Sequence, residues 1–318
     1  MITKKITRPL PAKSSGWNYL KKNYGLYLML IPGALLIIVF RYLPLSGLLI
    51  AFKDYNIFAG DSLLSSIMES PWVGLDNFKR IFASADFVQV LKNTLIIRFY
   101  KLIFTFPLPI ILALMLNELR SIVYKKTLQT VLYLPHFLSW AVVSTMMISI
   151  LGSGSFISTV LEQILGHKLS FFTDTSLFRG LLVTTEAWKT VGWNSILYLA
   201  AITGIDQQLY EAAEVDGVGK LKSTIHVTLP GISSTIIMLF ILRVGKILEA
   251  GFEQILVMYN PTVYEVSDII DTYVFRMGLG QMDFTLGTTV GLFNSIVSFI
   301  LVLGANTLSR KLTEKSIW

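Results

Sequence analysis

Long apolar runs alternate with shorter polar segments along this chain, and the run lengths set the first expectation. A helix crossing a bilayer needs about 20 predominantly apolar residues. Six stretches reach that length: 26–52, 93–116, 130–151, 177–205, 231–255 and 286–308. The first is unbroken from Leu26 to Phe40 and then meets Arg41 and Pro44, which predicts a kink near Pro44. Pro107 and Pro109 fall inside the second and Pro135 in the first turns of the third. A span tolerates them where neighbouring helices satisfy the freed carbonyls. Between the runs, 71–78 has turn chemistry followed by a helical start, 157–165 reads as one short helix, and 256–284 is acidic. Gly287 and Gly291 in the last run have the spacing that lets two helices approach closely.

Composition agrees with the pattern. Hydrophobic residues make up 53% of the 318 and charged residues 15%, against about 25% charged in soluble domains. Mean hydropathy is +0.63. The expected class is therefore an all-α polytopic membrane protein of six transmembrane helices, in one bundle without a second domain. A net charge of +7 would suggest nucleic acid in a soluble protein. Here the excess of Lys and Arg in cytoplasmic segments accounts for it, and no nucleic-acid partner is expected.

Residues 1–23 carry Lys4, Lys5, Arg8, Lys13, Lys21 and Lys22 without an acid, and read as a cytoplasmic tail too polar for the core of a signal peptide. Trp17, Tyr19 and Tyr24 suit headgroup level. Arg120, Lys125 and Lys126, then Lys220 and Lys222, then Arg310, Lys311 and Lys315 fall in segments that six spans put inside. The division is a tail (1–23), a membrane domain (24–309) and a second tail (310–318), with both termini cytoplasmic. Lys53, Lys79, Arg80 and Lys92 fall outside, partly offset by Asp54, Asp61, Glu69, Asp76 and Asp86. Cysteine is absent, which excludes disulfides, thiolate metal sites and a cysteine nucleophile.

The most polar long segment in the second half is 206–230. Gln207 to Val215 are mostly good helix formers. Gly217 and Gly219 permit a sharp bend, Leu221 to Leu229 resume a helical pattern, and Pro230 stands where a new helix can begin. The segment reads as a rigid knuckle between two spans. Glu211-Ala212-Ala213, Asp216-Gly217 and Leu229-Pro230 at these spacings resemble the EAA loop of ABC-importer permeases. A second run, with Gly251-Phe252-Glu253-Gln254, Tyr259-Asn260-Pro261 and Ile270-Asp271-Thr272-Tyr273-Val274, resembles the sugar-permease branch that imports oligosaccharides released from polysaccharides, to which the alginate importer belongs. The likeness runs from about Tyr24 to Trp318.

The resemblance implies the type I importer architecture, in the bacterial cytoplasmic membrane. It implies a second, non-identical permease, two ATPase subunits and an extracytoplasmic solute-binding protein as partners, besides membrane lipid. It gives Glu211 the role of contacting basic groups of the ATPase, with Ala212 and Ala213 small enough for close docking and Asp216, Gly217, Leu229 and Pro230 completing the coupling loop. No cofactor is expected on this chain; ATP-Mg would sit on the partner ATPases.

The residues themselves offer no catalytic set. Gly217-Val218-Gly219-Lys220 has Glu214 where the first glycine of a phosphate loop should fall. His136, His167 and His226 are scattered, and Gly152-Ser153-Gly154-Ser155 is not a nucleophile elbow. The alternatives are a secondary transporter or channel, an integral-membrane enzyme, or an ABC permease for a non-sugar solute. The first would need coupling-ion sites or an internal repeat.

Ionisable residues inside spans are costly and face a cavity or a partner. At about 1.5 Å per residue, Lys189 and Arg243 each lie about 18 Å into their spans. Glu186 with Lys189, and Lys246 with Glu249, are three apart and could neutralise locally. Arg98 and Lys101 add positive charge in the second span. Arg243 has no partner in its own helix, which leaves a bridge to another helix, Glu186 being the candidate, or a basic cavity passing an acidic oligosaccharide such as a uronate. In the second case Trp188, Trp193, Asn194 and Tyr198 offer stacking faces and hydrogen bonds. Independently of substrate charge, Glu253, Gln254, Tyr259 and the acidic segment to Asp283 face outward, either at the binding protein or outer gate or as a solvated loop.

Overall fold

The computed structural model describes residues 21–313; most of the basic N-terminal tail and the last five residues of the C-terminal tail lie outside them. Among the described residues there is no strand, only an isolated bridge between Lys53 and Trp72. Four helices are long and apolar enough to cross a membrane: α1 (Tyr24–Phe52), α4 (Ala85–Asn117), α10 (Lys220–Gly245) and α14 (Phe284–Thr313). Between the first two lie α2 (Leu63–Glu69) and α3 (Asp76–Ala83). The turn before α3 takes Gly74 at φ +60. Apolar side chains such as Met29, Leu30 and Phe40 on α1 are largely exposed, as expected where lipid rather than water is the solvent.

The third apolar run is not one straight span. It forms α5 (Ile122–Phe137) and α6 (Trp140–Leu151), bent by 103°. Pro135 ends α5 in a tight turn, Leu138 is extended, and Ser139 caps α6 through Val142 N–H. A short helix, α7 (Phe156–Leu165), follows. The fourth run forms α8 (Thr175–Thr203), 29 residues without a break. It carries Arg179, Glu186 and Lys189, so it is long enough to span but is not among the apolar four. In α1 the irregularity expected near Pro44 is present: a π turn over Ile38–Tyr42 passes into 3-10 geometry at Leu43–Phe52.

The fifth run also departs from expectation. α10 stops at Gly245 instead of running to Ile255; turns follow, Gly251 takes φ +98, and a new helix, α11 (Phe252–Met258), begins. Short helices α12 (Tyr264–Ser267) and α13 (Ile270–Val274) lead through a π turn at Phe275–Gly280 to α14. Three buried clusters hold these pieces together. One joins Ile97, Phe178, Leu182 and Ile255; another joins Phe87, Leu248, Tyr273 and Val290; the third, nearest the knuckle, joins Ala113, Tyr198, Ile202 and Ile232. Two glycines mark backbone contacts. A methyl on Gly192 of α8 would overlap the Leu132 carbonyl of α5, and Gly278 meets Gly287 at Cα. Gly291, the other half of the expected pair, touches nothing within 4 Å of its would-be Cβ.

Candidate functional site

The knuckle is built as helix, glycine, helix. Asp206 caps α9 (Gln207–Val215) by accepting from Gln208 N–H at 3.0 Å. Gly217 takes φ +69 with open space around it, so its need for glycine is a matter of backbone angle rather than crowding. Gly219 is extended, and α10 starts at Lys220. Pro230 stands in the first turn of the α-helical segment Leu229–Gly245, as its position predicts, but no break precedes it: a π turn at Thr224–Thr228 joins that segment to Lys220 within α10. That turn reorganises the ladder where the proline has no N–H to give.

Glu211, Ala212, Glu214, Asp216 and Gly217 are exposed and Ala213 half-buried, while Tyr210 Oη meets Thr228 Oγ1 at 3.0 Å and fixes α9 against α10. Lys220 pairs with Glu118 at 2.8 Å, an exposed bridge to the end of α4. Leu229 is half-buried below, so the loop presents a polar crest on an apolar root.

Beyond the knuckle, the charges of the spans are arranged otherwise than their spacing suggests. Glu186 does not pair with Lys189. It pairs at 2.5 Å with Lys101 of α4, whose side chain is 1% exposed. Lys101 also donates to the Ala250 carbonyl at 2.7 Å and to Gln254 Oε1, and Gln254 donates to the Leu182 carbonyl and Thr185 Oγ1, both at 2.8 Å. Gln254 is therefore fully buried rather than outward-facing. This network staples the break between α10 and α11 onto α4 and α8. Buried charges persist where they are paired and hydrogen-bonded, as here. Glu253, its neighbour, stays exposed.

The residues proposed for the pathway fall into two groups. Asn194, Tyr198, Arg243 and Lys246 line one cleft of about 140 Å³ between α8 and α10. Arg243 forms no ion pair among the described residues and does not bridge to Glu186. It donates to Thr105 Oγ1 at 3.0 Å and lies over the Phe106 ring, and Lys246 meets Glu249 at 3.4 Å as the spacing foretold. Tyr198 is 3% exposed and packs its ring in the cluster nearest the knuckle, so it offers the cleft an edge rather than a free stacking face. Lys189 and Trp193 turn elsewhere. Lys189 donates to the His136 carbonyl at 2.7 Å and lies over Trp140, and Trp193 stacks on His136 at 4.5 Å between centroids.

The sequence reading passed over one further opening. A pocket of about 530 Å³ lies between the Phe252–Phe275 region and α14, lined by Phe252, Asp271, Phe275, Phe284, Thr288 and Asn294 among others. Burial first, and then Glu249, pushes the Asp271 carboxyl up to about 6. Asn294 Oδ1 is buried with no hydrogen-bond partner. The acidic segment 256–284, for which a solvated loop is one of two readings, is partly core: Asp268 is buried and paired with Arg276 at 2.6 Å, and Thr272 is fully buried.

Residues 105–314 match the model of the binding-protein-dependent transport system inner membrane component. The chain belongs to that family. The permease is 43% identical to Protein LplB of Bacillus subtilis (strain 168) over 100% of this chain and 99% of that one. It is 44% identical to the polygalacturonan/rhamnogalacturonan transport system permease protein YteP of the same organism, over 92% of this chain and 90% of the relative. Among solved structures it is similar to a chain of a bacterial ABC transporter involved in the import of the acidic polysaccharide alginate. That match has a TM-score of 0.85 and 39% identity, and covers 93% of this chain and 99% of the other. The alginate transporter in complex with an alginate pentasaccharide-bound periplasmic protein matches with the same TM-score at 38% identity.

Proposed function

We propose that this permease is one of two non-identical membrane subunits of an ABC importer that carries an acidic oligosaccharide inward. Its knuckle seats in partner ATPases that bind ATP-Mg, and an extracytoplasmic binding protein delivers the substrate. The chain crosses the membrane six times: α8 and the bent pair α5–α6 join the four apolar helices, and both termini and the knuckle face the cytoplasm. The Lys220–Glu118 bridge supports this topology by holding the end of α4 and the knuckle at one membrane face.

The observation that carries the substrate class is the unpaired Arg243 beside Lys246 in the α8–α10 cleft. Lys101 is neutralised by Glu186 and Lys189 is bound to a carbonyl, and Arg243 is the cation that lines the cleft without an ion pair among the described residues. A guanidinium reads carboxylates by paired hydrogen bonds. Asn194, in the same cleft, adds amide groups for ring hydroxyls. Two of the relatives bear names that concern acidic polysaccharides.

The test is uptake by the assembled importer of a uronate oligosaccharide against its neutral, carboxyl-reduced counterpart. Arg243→Met should abolish the preference for the acidic sugar, while Lys189→Met should leave it. Glu211→Lys should stop uptake of both and weaken co-purification of the ATPase without preventing insertion. Preference for the neutral sugar in the wild type, with transport intact in Arg243→Met, would refute the acidic substrate. Normal uptake in Glu211→Lys would refute the coupling role.

A further inference from the structure

The pocket between the Phe252–Phe275 region and α14 stands apart from the Arg243 cleft, and nothing in the coupling reading uses it. Its walls are mostly apolar, with the rings of Phe252, Phe275 and Phe284, aliphatic side chains, and Gly287 and Gly291 leaving backbone bare. Three polar groups interrupt this apolar lining. Asn294 Oδ1 is buried with no donor, the Thr288 hydroxyl makes no hydrogen bond among the described residues, and Asp271 forms no ion pair there. A buried acceptor without a donor costs about 1–3 kcal/mol. Such a group persists where something outside the chain supplies the donor. Flat apolar faces with a few convergent acceptors, in a volume of 300–1,000 Å³, match the general form of a small-molecule site. The hydroxyls and C–H faces of a pyranose ring supply the complement: donors for Asn294 and Asp271, and apolar surface for the phenyl rings.

The position of the pocket gives this a direction. Lys246 lines the Arg243 cleft and Phe252 lines the pocket, and the turn that joins them is the stapled break after α10. Glu249, on that turn, pairs with Lys246 on one side and acts on Asp271 on the other. The two openings are thus joined through one short segment of chain, the first able to read charge and the second able to read hydroxyls.

We propose that the Asp271–Thr288–Asn294 pocket is a second carbohydrate subsite, which engages the additional sugar units of longer oligosaccharides by their hydroxyls while the Arg243 cleft holds one carboxylate. The inference rests on the permease reading above. Long chains occupy both openings and short chains only the first, so the pocket sets a preference for length rather than for charge.

The experiment uses the assembled importer in liposomes with oligogalacturonates of two, three, four and five units as the probes. In the wild type, the apparent KM should fall as the chain lengthens. Asn294→Leu, which keeps the branched shape and removes the acceptor, should raise the KM of the pentamer about five-fold, the worth of one hydrogen bond, and leave that of the dimer within two-fold. Thr288→Val is the second variant should Asn294→Leu fail to assemble, and it should act in the same sense. Equal losses for dimer and pentamer, or no change for either, would overturn the subsite. Absence of uptake for every length in the wild type would overturn the uronate reading on which it rests.

Discussion

Replacing Lys101 by Met tests whether the stapled break is held by charge or by packing. Among the described residues, Lys101 is the one donor shared by Glu186, the Ala250 carbonyl and Gln254 Oε1. Methionine fills similar space and gives no donor, so the Glu186 carboxylate, 16% exposed, is left without its counter-charge. Removing one partner of a buried ion pair costs about 3–5 kcal/mol. For a chain of this size each kcal/mol moves the melting temperature by about 2 °C, which gives a drop of about 6–10 °C. The assay is thermal unfolding of the purified permease in detergent, followed by tryptophan fluorescence. Adding Glu186→Gln removes the orphaned charge, so the double variant should regain most of the loss; the excess over additivity measures the coupling. A shift below 1 °C in Lys101→Met, or a double variant no more stable than the single, would refute the argument.

Three further perturbations follow from backbone and burial. Gly217→Asn should transport almost normally and Gly217→Val should not, since left-handed backbone costs about 1–2 kcal/mol for a residue with Cβ and asparagine tolerates it; equal uptake in both would sink the point. Gly192→Ala should destabilise far more than Gly245→Ala, because the first methyl meets the Leu132 carbonyl and the second only a Val302 side-chain methyl that can turn away; their order in a melting series decides it. Asp271 is held up to about 6 against 3.8 unfolded, so the folded state binds its proton more tightly. Stability from this group therefore falls as pH rises from about 4 to about 6. Asp271→Asn should be more stable than the parent above that window and equal to it below, and a constant difference across pH would contradict the assignment.

Local pattern carried the knuckle. Helix formers, a glycine forced into φ +69 and fixed spacing to Leu229-Pro230 are all features of consecutive residues. The apolar helices were legible for the same reason. The staple was not: Lys101, Glu186 and Gln254 come from three distant segments, and spacing alone favoured the i,i+3 pair of Glu186 with Lys189. Nor was the burial of Gln254, Asp268 and Thr272, since polar composition reads as solvated loop whatever covers it. Pro135 was visible, but the 103° turn after it depends on the cap at Ser139 and on α8 packing at Gly192. Arg243 was singled out correctly as lacking a partner in its own helix; the structure adds that Glu186 is already taken.

The two rods that leave the knuckle differ in kind. α8 runs 29 residues without a joint, whereas α10 ends after 26 at a segment pinned to α4 and α8. A 26-residue helix is about 39 Å long, so a 10° swing about its pinned far end would carry the knuckle end through about 7 Å. Rotation imposed there meets a fulcrum at Lys246–Gly251 and is not passed on along the chain axis to α11. Displacement at the knuckle end of α10 is thereby converted into widening or narrowing of the gap against α8, the gap where Arg243 stands.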